Sequence, residues 1–348
     1  MKITINNKIS FDNSKAPLTI AEISANHEGK KEKLLKHIIS AAKCGCELVK
    51  IQTYEPEDLT LKSQKNSFLI KDGIWKNKNL WELYKKAQTP FEWHYDAFKI
   101  AKKNNITLIS TPFSLRALNF LKQFDPPIYK ISSFEITDLK LIYEIAKLKK
   151  PILMSTGLAT IPEIKKALKI INKFHNKVII FYCVSGYPTP HEDVNLNNIN
   201  LYKKIFPKNL IGLSDHTNSI DSSLAAIPFG IVAIEKHYKL ADKNSSPDSQ
   251  FSISTKEMGE LNKRKKMYNL MLGREEKKLK KSEIKSRIFR RSLFASQNIK
   301  KGEIITKNNI KSLRPKIGLC SSYYFEIIGK KAKKNILKNS SIFKKDIF

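Results

Sequence analysis

The sequence predicts a (β/α)8 barrel followed by a small β-rich domain, and three observations carry that prediction. Eight short apolar runs rich in Ile, Leu and Val recur through roughly the first 260 residues. Amphipathic stretches with apolar residues at three- and four-residue spacing lie between them. No GxGxxG follows any run, which disfavours the doubly wound sheet that the same alternation would allow.

The runs fall at 18–23 (LTIAEI), 48–53 (LVKIQT), 106–111 (ITLIST), 128–132 (IYKIS), 151–156 (PILMST), 178–183 (VIIFYC), 210–215 (LIGLSD) and 231–237 (IVAIEKH). Each has the length and β-branched content of a strand buried on both faces. The segments 31–44 (KEKLLKHIISAAKC) and 162–174 (PEIKKALKIINKF) show the helical period. From residue 263 the texture changes. Residues 263–291 hold 13 basic and 3 acidic side chains and read as a charged, helical connector. Residues 292–348 read as short strands and turns: SLFASQNI, KKGEIIT at Gly302, and IGKKAKKNI around Gly329. The predicted organisation is a catalytic barrel over 1–262, a linker over 263–291 and a small domain over 292–348, too small to be very stable without docking.

Composition narrows the class. The 348 residues include 64 Lys+Arg against 32 Asp+Glu, a net charge of +32. Such charge invites a nucleic-acid reading, with 263–291 as the contact surface. However, the basic residues are 57 Lys and only 7 Arg, and 178–202 and 209–235 contain none. Proteins that read base sequence favour the planar fork of Arg. The charge therefore reads as solvated surface that draws in anionic substrates, with no nucleic-acid partner expected. A 41% hydrophobic content excludes a mainly disordered chain. No run of 18 apolar residues suggests a membrane span, and residues 1–15 lack the apolar core of a signal peptide. Four cysteines without CxxC spacing fit a reducing compartment, so the expectation is a cytoplasmic protein.

In a barrel of this type the chemistry sits at the C-terminal strand ends, and here those ends are polar. They carry Glu22, with Asn26 and His27 following; Lys50 and Gln52; Ser110 and Thr111; Lys130, Ser132, Ser133 and Glu135; Ser155 and Thr156 before Gly157; Ser185 and Tyr187; Ser214, Asp215 and His216; and Glu235, Lys236 and His237. Any one of the hydroxyls alone reads as a helix cap. All eight ends together do not. Lys50 and Lys130 interrupt apolar runs, where an unpaired charge is costly, and with nearby hydroxyls they suit a phosphate and a carboxylate. His216 and His237 come from adjacent strand ends. Two imidazoles there suit a metal with open positions, or two ordinary histidines bonded to loop backbone. His37, His94, His175 and His191 read as surface or packing residues.

The motifs AEISANHEG (21–29), VKIQTY (49–54), STPF (110–113), YKISSFE (129–135), STG (155–157), YPTP (187–190), GLSDHT (212–217) and IEKHY (234–238) resemble those of the sialic acid synthase family. The 292–348 segment, with SLRP at 312–315, resembles the family's C-terminal antifreeze-like (SAF) domain. The resemblance implies a condensation of phosphoenolpyruvate with an open-chain amino sugar, dependent on a divalent metal, Mn or Mg. Within the family, the run 68–94 and SFEI at 133–136 are most similar to members that make pseudaminic acid from 2,4-diacetamido-2,4,6-trideoxy-altrose. N-acetylneuraminate or legionaminate synthesis on the same scaffold is the alternative.

Carried over residue by residue, the resemblance implies that Lys50, Thr111, Lys130, Ser133, Ser155, Ser185 and Ser214 bind phosphoenolpyruvate. It implies that His216 and His237 hold the metal, and that Glu22, Gln52, Glu135, Tyr187 and Asp248 face the sugar or the reacting centre. Either Glu22 or Glu135 would handle the attacking water. Arg314 matches an arginine that reaches into a partner's barrel, which implies a domain-swapped homodimer.

Overall fold

Period-two alternation decides the core of this protein. The computed structural model describes residues 1–7, 9–241 and 245–348, which form two compact units, Met1–Gly273 and Arg274–Phe348. Twelve strands are described: β1 (Lys2–Thr4), β2 (Ser10–Asp12), β3 (Leu18–Glu22), β4 (Leu48–Thr53), β5 (Thr107–Pro112), β6 (Tyr129–Ile131), β7 (Ile152–Ser155), β8 (Val178–Cys183), β9 (Leu210–Asp215), β10 (Ala233–His237), β11 (Ser292–Ala295) and β12 (Ile310–Leu313). β3 to β10 make one parallel sheet in the order β5-β4-β3-β10-β9-β8-β7-β6. β5 and β6 lie against each other at its two ends, so the sheet curls into an eight-stranded barrel. The eight runs marked in the sequence are these eight strands.

Successive residues of each strand go to different cores. Ile20, Leu48, Ile109, Leu153, Ile179, Phe181 and Leu210 pack together inside the barrel. Their neighbours Ala21, Val49, Leu108, Ile152, Ile180, Ile211 and Ile234 pack outward against the helices. The interior apolar layer continues into Ile9 and Phe11, carried by the antiparallel hairpin of β1 and β2. Sequence patterning gave no sign of that hairpin, whose strands have three residues each. Further along most of these strands, the inward positions turn polar: Glu22 in β3, Lys50 in β4, Ser155 in β7, Ser214 in β9 and Glu235 in β10. The barrel thus has an apolar lower half and an ionic upper half.

Among the barrel's helices are α1 (Lys31–Lys43), α2 (Pro56–Leu59), α3 (Leu80–Ala87), α4 (Trp93–Lys103), α5 (Leu115–Lys122), α6 (Leu139–Lys147), α7 (Ile161–Ile171), α8 (Asn198–Ile205), α9 (Asp221–Ala225) and α10 (Thr255–Leu272). α7 shows why they form. Thr160 accepts from Glu163 N while Glu163 receives the Thr160 backbone N–H, and Pro162 sits in the first turn. Ile164, Ala167, Leu168 and Ile171 then fall on one buried face.

The structure departs from the expected domain limit at residue 262. α10 starts at a Ser254/Glu257 capping box and runs through to Leu272. It buries Met258, Leu261, Asn262 and Lys265. Lys265 Nζ lies 2.7 Å from Glu47 Oε2 and donates to Thr19 Oγ1 at 2.7 Å. The first third of the basic run is therefore a helix docked on the barrel, with one of its lysines consumed as a buried staple. A charge count along the sequence hides this, because a paired, buried lysine and a solvated one look the same.

In the second unit β11 and β12 pair antiparallel, and isolated bridges join 294 to 341, 299 to 336 and 304 to 331. Leu293, Ile299, Ile305, Ile310, Ile336 and Ile342 form its core. Gly302 and Gly329 sit at φ +85° and +84°, as the turns around them require. No described helix is long and apolar enough to cross a membrane.

Candidate active site

The ionic upper half of the barrel opens into a cavity of about 310 Å³. Four buried charges of alternating sign cross its base. Lys50 Nζ lies 2.6 Å from Glu22 Oε2 and 3.7 Å from Glu235 Oε1. Lys130 Nζ lies 3.0 Å from Glu235 Oε2. Hydroxyls complete the set: Lys50 donates to Thr111 Oγ1 at 3.3 Å, Lys130 to Ser155 Oγ at 2.6 Å, and Ser214 to Glu235 Oε1 at 3.3 Å. Gln52 donates to Glu22 Oε1 at 3.2 Å. Lys130 also stands over the Phe181 ring, 4.4 Å from its centroid. The two lysines expected to bind anions thus rest on two carboxylates, so neither is left as an isolated buried charge.

These carboxylates differ in environment. Burial pushes Glu22 up to about 7, against the pull of Lys50. Burial also acts to raise Glu235, but Lys130 and Lys50 on either side outweigh it and hold Glu235 well below its usual value. Glu135, on the turn after β6, accepts from Ser132 Oγ and is raised chiefly by burial.

Gly157, after β7, draws three site groups together. Its backbone N–H donates to Ser133 Oγ at 3.0 Å. A Cβ there would lie 2.1 Å from Ser185 Oγ, 3.1 Å from Ser133 Oγ and 3.1 Å from Cys183 Sγ. Only glycine lets these groups crowd onto one peptide.

On the far side of Glu235 stand the two histidines, their ring centroids 5.4 Å apart. The Nδ1 of His216 faces Val184 O at 2.9 Å. The Nδ1 of His237 is buried without a hydrogen-bond partner, 3.9 Å from Asp248 Oδ2. Burial, then His216 and the nearby lysines, keeps His237 well below its ordinary pKa and hence neutral. A neutral, buried imidazole with an orphaned nitrogen, beside a second imidazole, is a pair of donors that suits a divalent metal. No group of three or more His, Cys, Asp or Glu among the described residues surrounds one point, so a metal here would keep positions for water or substrate oxygens. Asp248 is itself anchored by the Ala25 N–H at 3.2 Å.

Of the residues marked in the sequence, Lys50, Gln52, Lys130, Ser133, Glu135, Ser155, Tyr187, Ser214, His216, His237 and Asp248 line this cavity. Glu22 and Thr111 stand directly behind them through their contacts with Lys50, and Ser185 lies beside Gly157. Arg314 belongs to the second unit, where it is exposed. His27 and His94 are packing residues, bonded to Thr89 and Thr53. Two features escaped the sequence reading. Glu235 received no role, although it lies two residues before His237 and so shares its face of β10. The second is an apolar wall of Tyr54, Ile70, Trp75, Leu83, Tyr84 and Phe113. Trp75 donates from Nε1 to Pro247 O at 3.0 Å and packs on Tyr187 and Phe251. Much of that wall comes from the long connection between β4 and β5, including Leu83 and Tyr84 of α3.

The NeuB family model matches residues 37–277 of this chain. The chain belongs to the NeuB family. The SAF domain model matches residues 290–347, as the sialic acid synthase resemblance implied. The chain is 43% identical over 328 residues to a pseudaminic acid synthase of Campylobacter jejuni, a match covering 94% of this chain and 95% of that one. It is 35% identical to an N,N'-diacetyllegionaminic acid synthase from the same species, covering 94% and 99%. Among solved structures, the N-acetylneuraminic acid synthetase of Leptospira borgpetersenii superposes with a TM-score of 0.73 at 28% identity, covering 82% of this chain and 95% of that one. Identity within the NeuB family thus favours the pseudaminate-type members over the legionaminate type.

Proposed function

We propose that this NeuB-family enzyme condenses phosphoenolpyruvate with 2,4-diacetamido-2,4,6-trideoxy-altrose to give pseudaminic acid and phosphate. The observation that carries the reading is the cavity's division into an ionic floor and an apolar wall. Lys50, Lys130 and the hydroxyls of Thr111, Ser133, Ser155, Ser185 and Ser214 suit the carboxylate and phosphate. The wall around Trp75 suits the methyl groups of a deoxy, N-acylated sugar.

The methylene carbon of phosphoenolpyruvate attacks the sugar's aldehyde carbon; the new C–C bond forms as the aldehyde π bond breaks, leaving an alkoxide that takes up a proton and positive charge on the enol carbon. Water adds at that carbon, and its proton passes to a carboxylate whose pKa is raised; Glu22 and Glu135 both qualify. The tetrahedral centre then collapses to the ketone and expels phosphate. His216 and His237 would hold a divalent cation, Mn or Mg, whose contribution there is Lewis-acid polarisation of the aldehyde oxygen. The fixed lysines and hydroxyls supply positioning and charge compensation without reorganising during the reaction. Four free cysteines fit a cytoplasmic enzyme.

Phosphate release from phosphoenolpyruvate, followed with altrose- and mannose-type sugars, tests the reading; release with the mannose-type sugar alone would replace it by neuraminate or legionaminate synthesis. Chelation should abolish release and Mn should restore it, whereas full activity in thoroughly metal-stripped enzyme would remove the metal from the reaction. Replacing Trp75 by Ala should raise KM for the sugar about tenfold and leave KM for phosphoenolpyruvate within about twofold, since the indole supports the wall and not the lysine floor. Trp75→Phe, which keeps the packing but cannot donate to Pro247, should fall between. Equal effects on both KM values would show that the wall does not face the sugar.

A further inference from the structure

We propose that the buried Asp215–Lys236 ion pair clamps His216 and His237 at the separation that a metal requires, so that both charged residues are positioning residues; this rests on reading the two histidines as the metal site. β9 and β10 run parallel with the register Leu213↔Ile234, Ser214↔Glu235 and Asp215↔Lys236. Their ladder stops at that last rung. His216 and His237 lie one residue beyond it.

Alternation points Ser214, Glu235 and the histidines toward the cavity, and turns Asp215 and Lys236 outward toward α9. There, Lys236 Nζ sits 3.0 Å from Asp215 Oδ2, both side chains almost wholly buried. The same ammonium donates to Thr217 O at 2.6 Å and Thr217 Oγ1 at 3.1 Å. Asp215 in turn accepts from the Thr217 N–H at 2.9 Å, Ser222 Oγ at 2.6 Å and Ser223 Oγ at 2.5 Å. Lys236 therefore grips the residues immediately before and after His216, while its own next residue is His237.

The two histidines are otherwise held unequally. His237 is paired with Glu22 across β3 and β10. On the other side of β9, the ladder to β8 ends at Cys183↔Ser214, two residues short of His216. Past that point the His216 backbone is tied by the Thr189 N–H to His216 O, 3.0 Å, and by the clamp. Stability alone does not account for such a pair, because replacing a buried ion pair with uncharged side chains of similar volume is often neutral or stabilising. Its location accounts for it: outer groups that orient metal-binding histidines govern metal affinity.

The test is the Asp215→Asn, Lys236→Met double variant, which removes both charges together and keeps an acceptor for Ser222 and Ser223. Metal-free protein is titrated with Mn²⁺ in the absence of substrates, free Mn²⁺ being read by its electron paramagnetic resonance signal. Wild type should bind, and the double variant should bind about tenfold or more weakly. With Mn²⁺ saturating, KM for phosphoenolpyruvate should stay within about threefold, because Ser214 and Glu235 are held by the ladder itself. Should the double variant fail to fold, Ser222→Ala with Ser223→Ala loosens Asp215 while keeping the ion pair, and a several-fold loss of Mn²⁺ affinity is expected. Wild-type affinity in either folded variant overturns the clamp. A wild-type protein that binds no Mn²⁺ overturns the metal reading of His216 and His237, and the clamp with it.

Discussion

A Lys130→Met enzyme is expected to lose kcat/KM for phosphoenolpyruvate by roughly 10²–10³-fold while KM for the sugar changes little. Lys130 is 1% exposed and is bound to Glu235 at 3.0 Å and to Ser155 at 2.6 Å. Its removal has two consequences that must be separated. The site loses a fixed cation for an anionic substrate. Glu235 also loses its nearer partner, leaving Lys50 at 3.7 Å and the Ser214 hydroxyl. An under-compensated buried carboxylate destabilises the fold, by about 3–5 kcal/mol in comparable cases. The double variant Lys130→Met, Glu235→Gln separates the two, since it removes the orphaned charge together with the lysine. Its melting temperature should return most of the way to wild type, and its use of phosphoenolpyruvate should not. If activity returns together with stability, Lys130 is a structural residue.

That quartet also shows how far the sequence carries. Lys50 and Lys130 were visible because a charge inside an apolar strand demands a partner. What partners them was not visible, because the carboxylates come from β3 and β10, remote in sequence from β6. The ring of polar strand ends was legible since barrel topology sends every strand end to one face. Which neighbours point in was also legible in principle from period-two alternation, and Glu235 follows from His237 by that rule. Asp215 and Lys236 follow as the outward pair. The wall around Trp75 and the docking of α10 depend on tertiary contacts that local patterning does not carry, and the short β1–β2 hairpin was too brief to register.

Mixing an Arg314→Ala protein with a His216→Ala protein, each inactive alone, is expected to return about a quarter of wild-type activity once subunits exchange freely. No arginine lines the barrel cavity among the described residues. Its two lysines are held at the ionic floor by Glu22 and Glu235. The apolar wall offers no cation to a sugar's acetamido oxygen. In the second unit, Arg314 is exposed and forms no ion pair or hydrogen bond among the described residues, although Arg291 beside the same strand pair donates to Ser312 O at 3.0 Å. A salt bridge within its own unit is thus not what occupies Arg314, and a planar, permanently charged donor suits an acyl oxygen. We propose that Arg314 is supplied in trans, which would make each site a composite of one chain's barrel and the other chain's small domain. In a swapped dimer, half of the pairs in an equal mixture would be mixed, and each of these would assemble one intact barrel with one intact Arg314. The companion site combines both lesions and stays dead. Activity that stays absent after exchange has been demonstrated by a tag on one chain would place Arg314 and His216 in the same chain's site, and the swapped arrangement would be wrong.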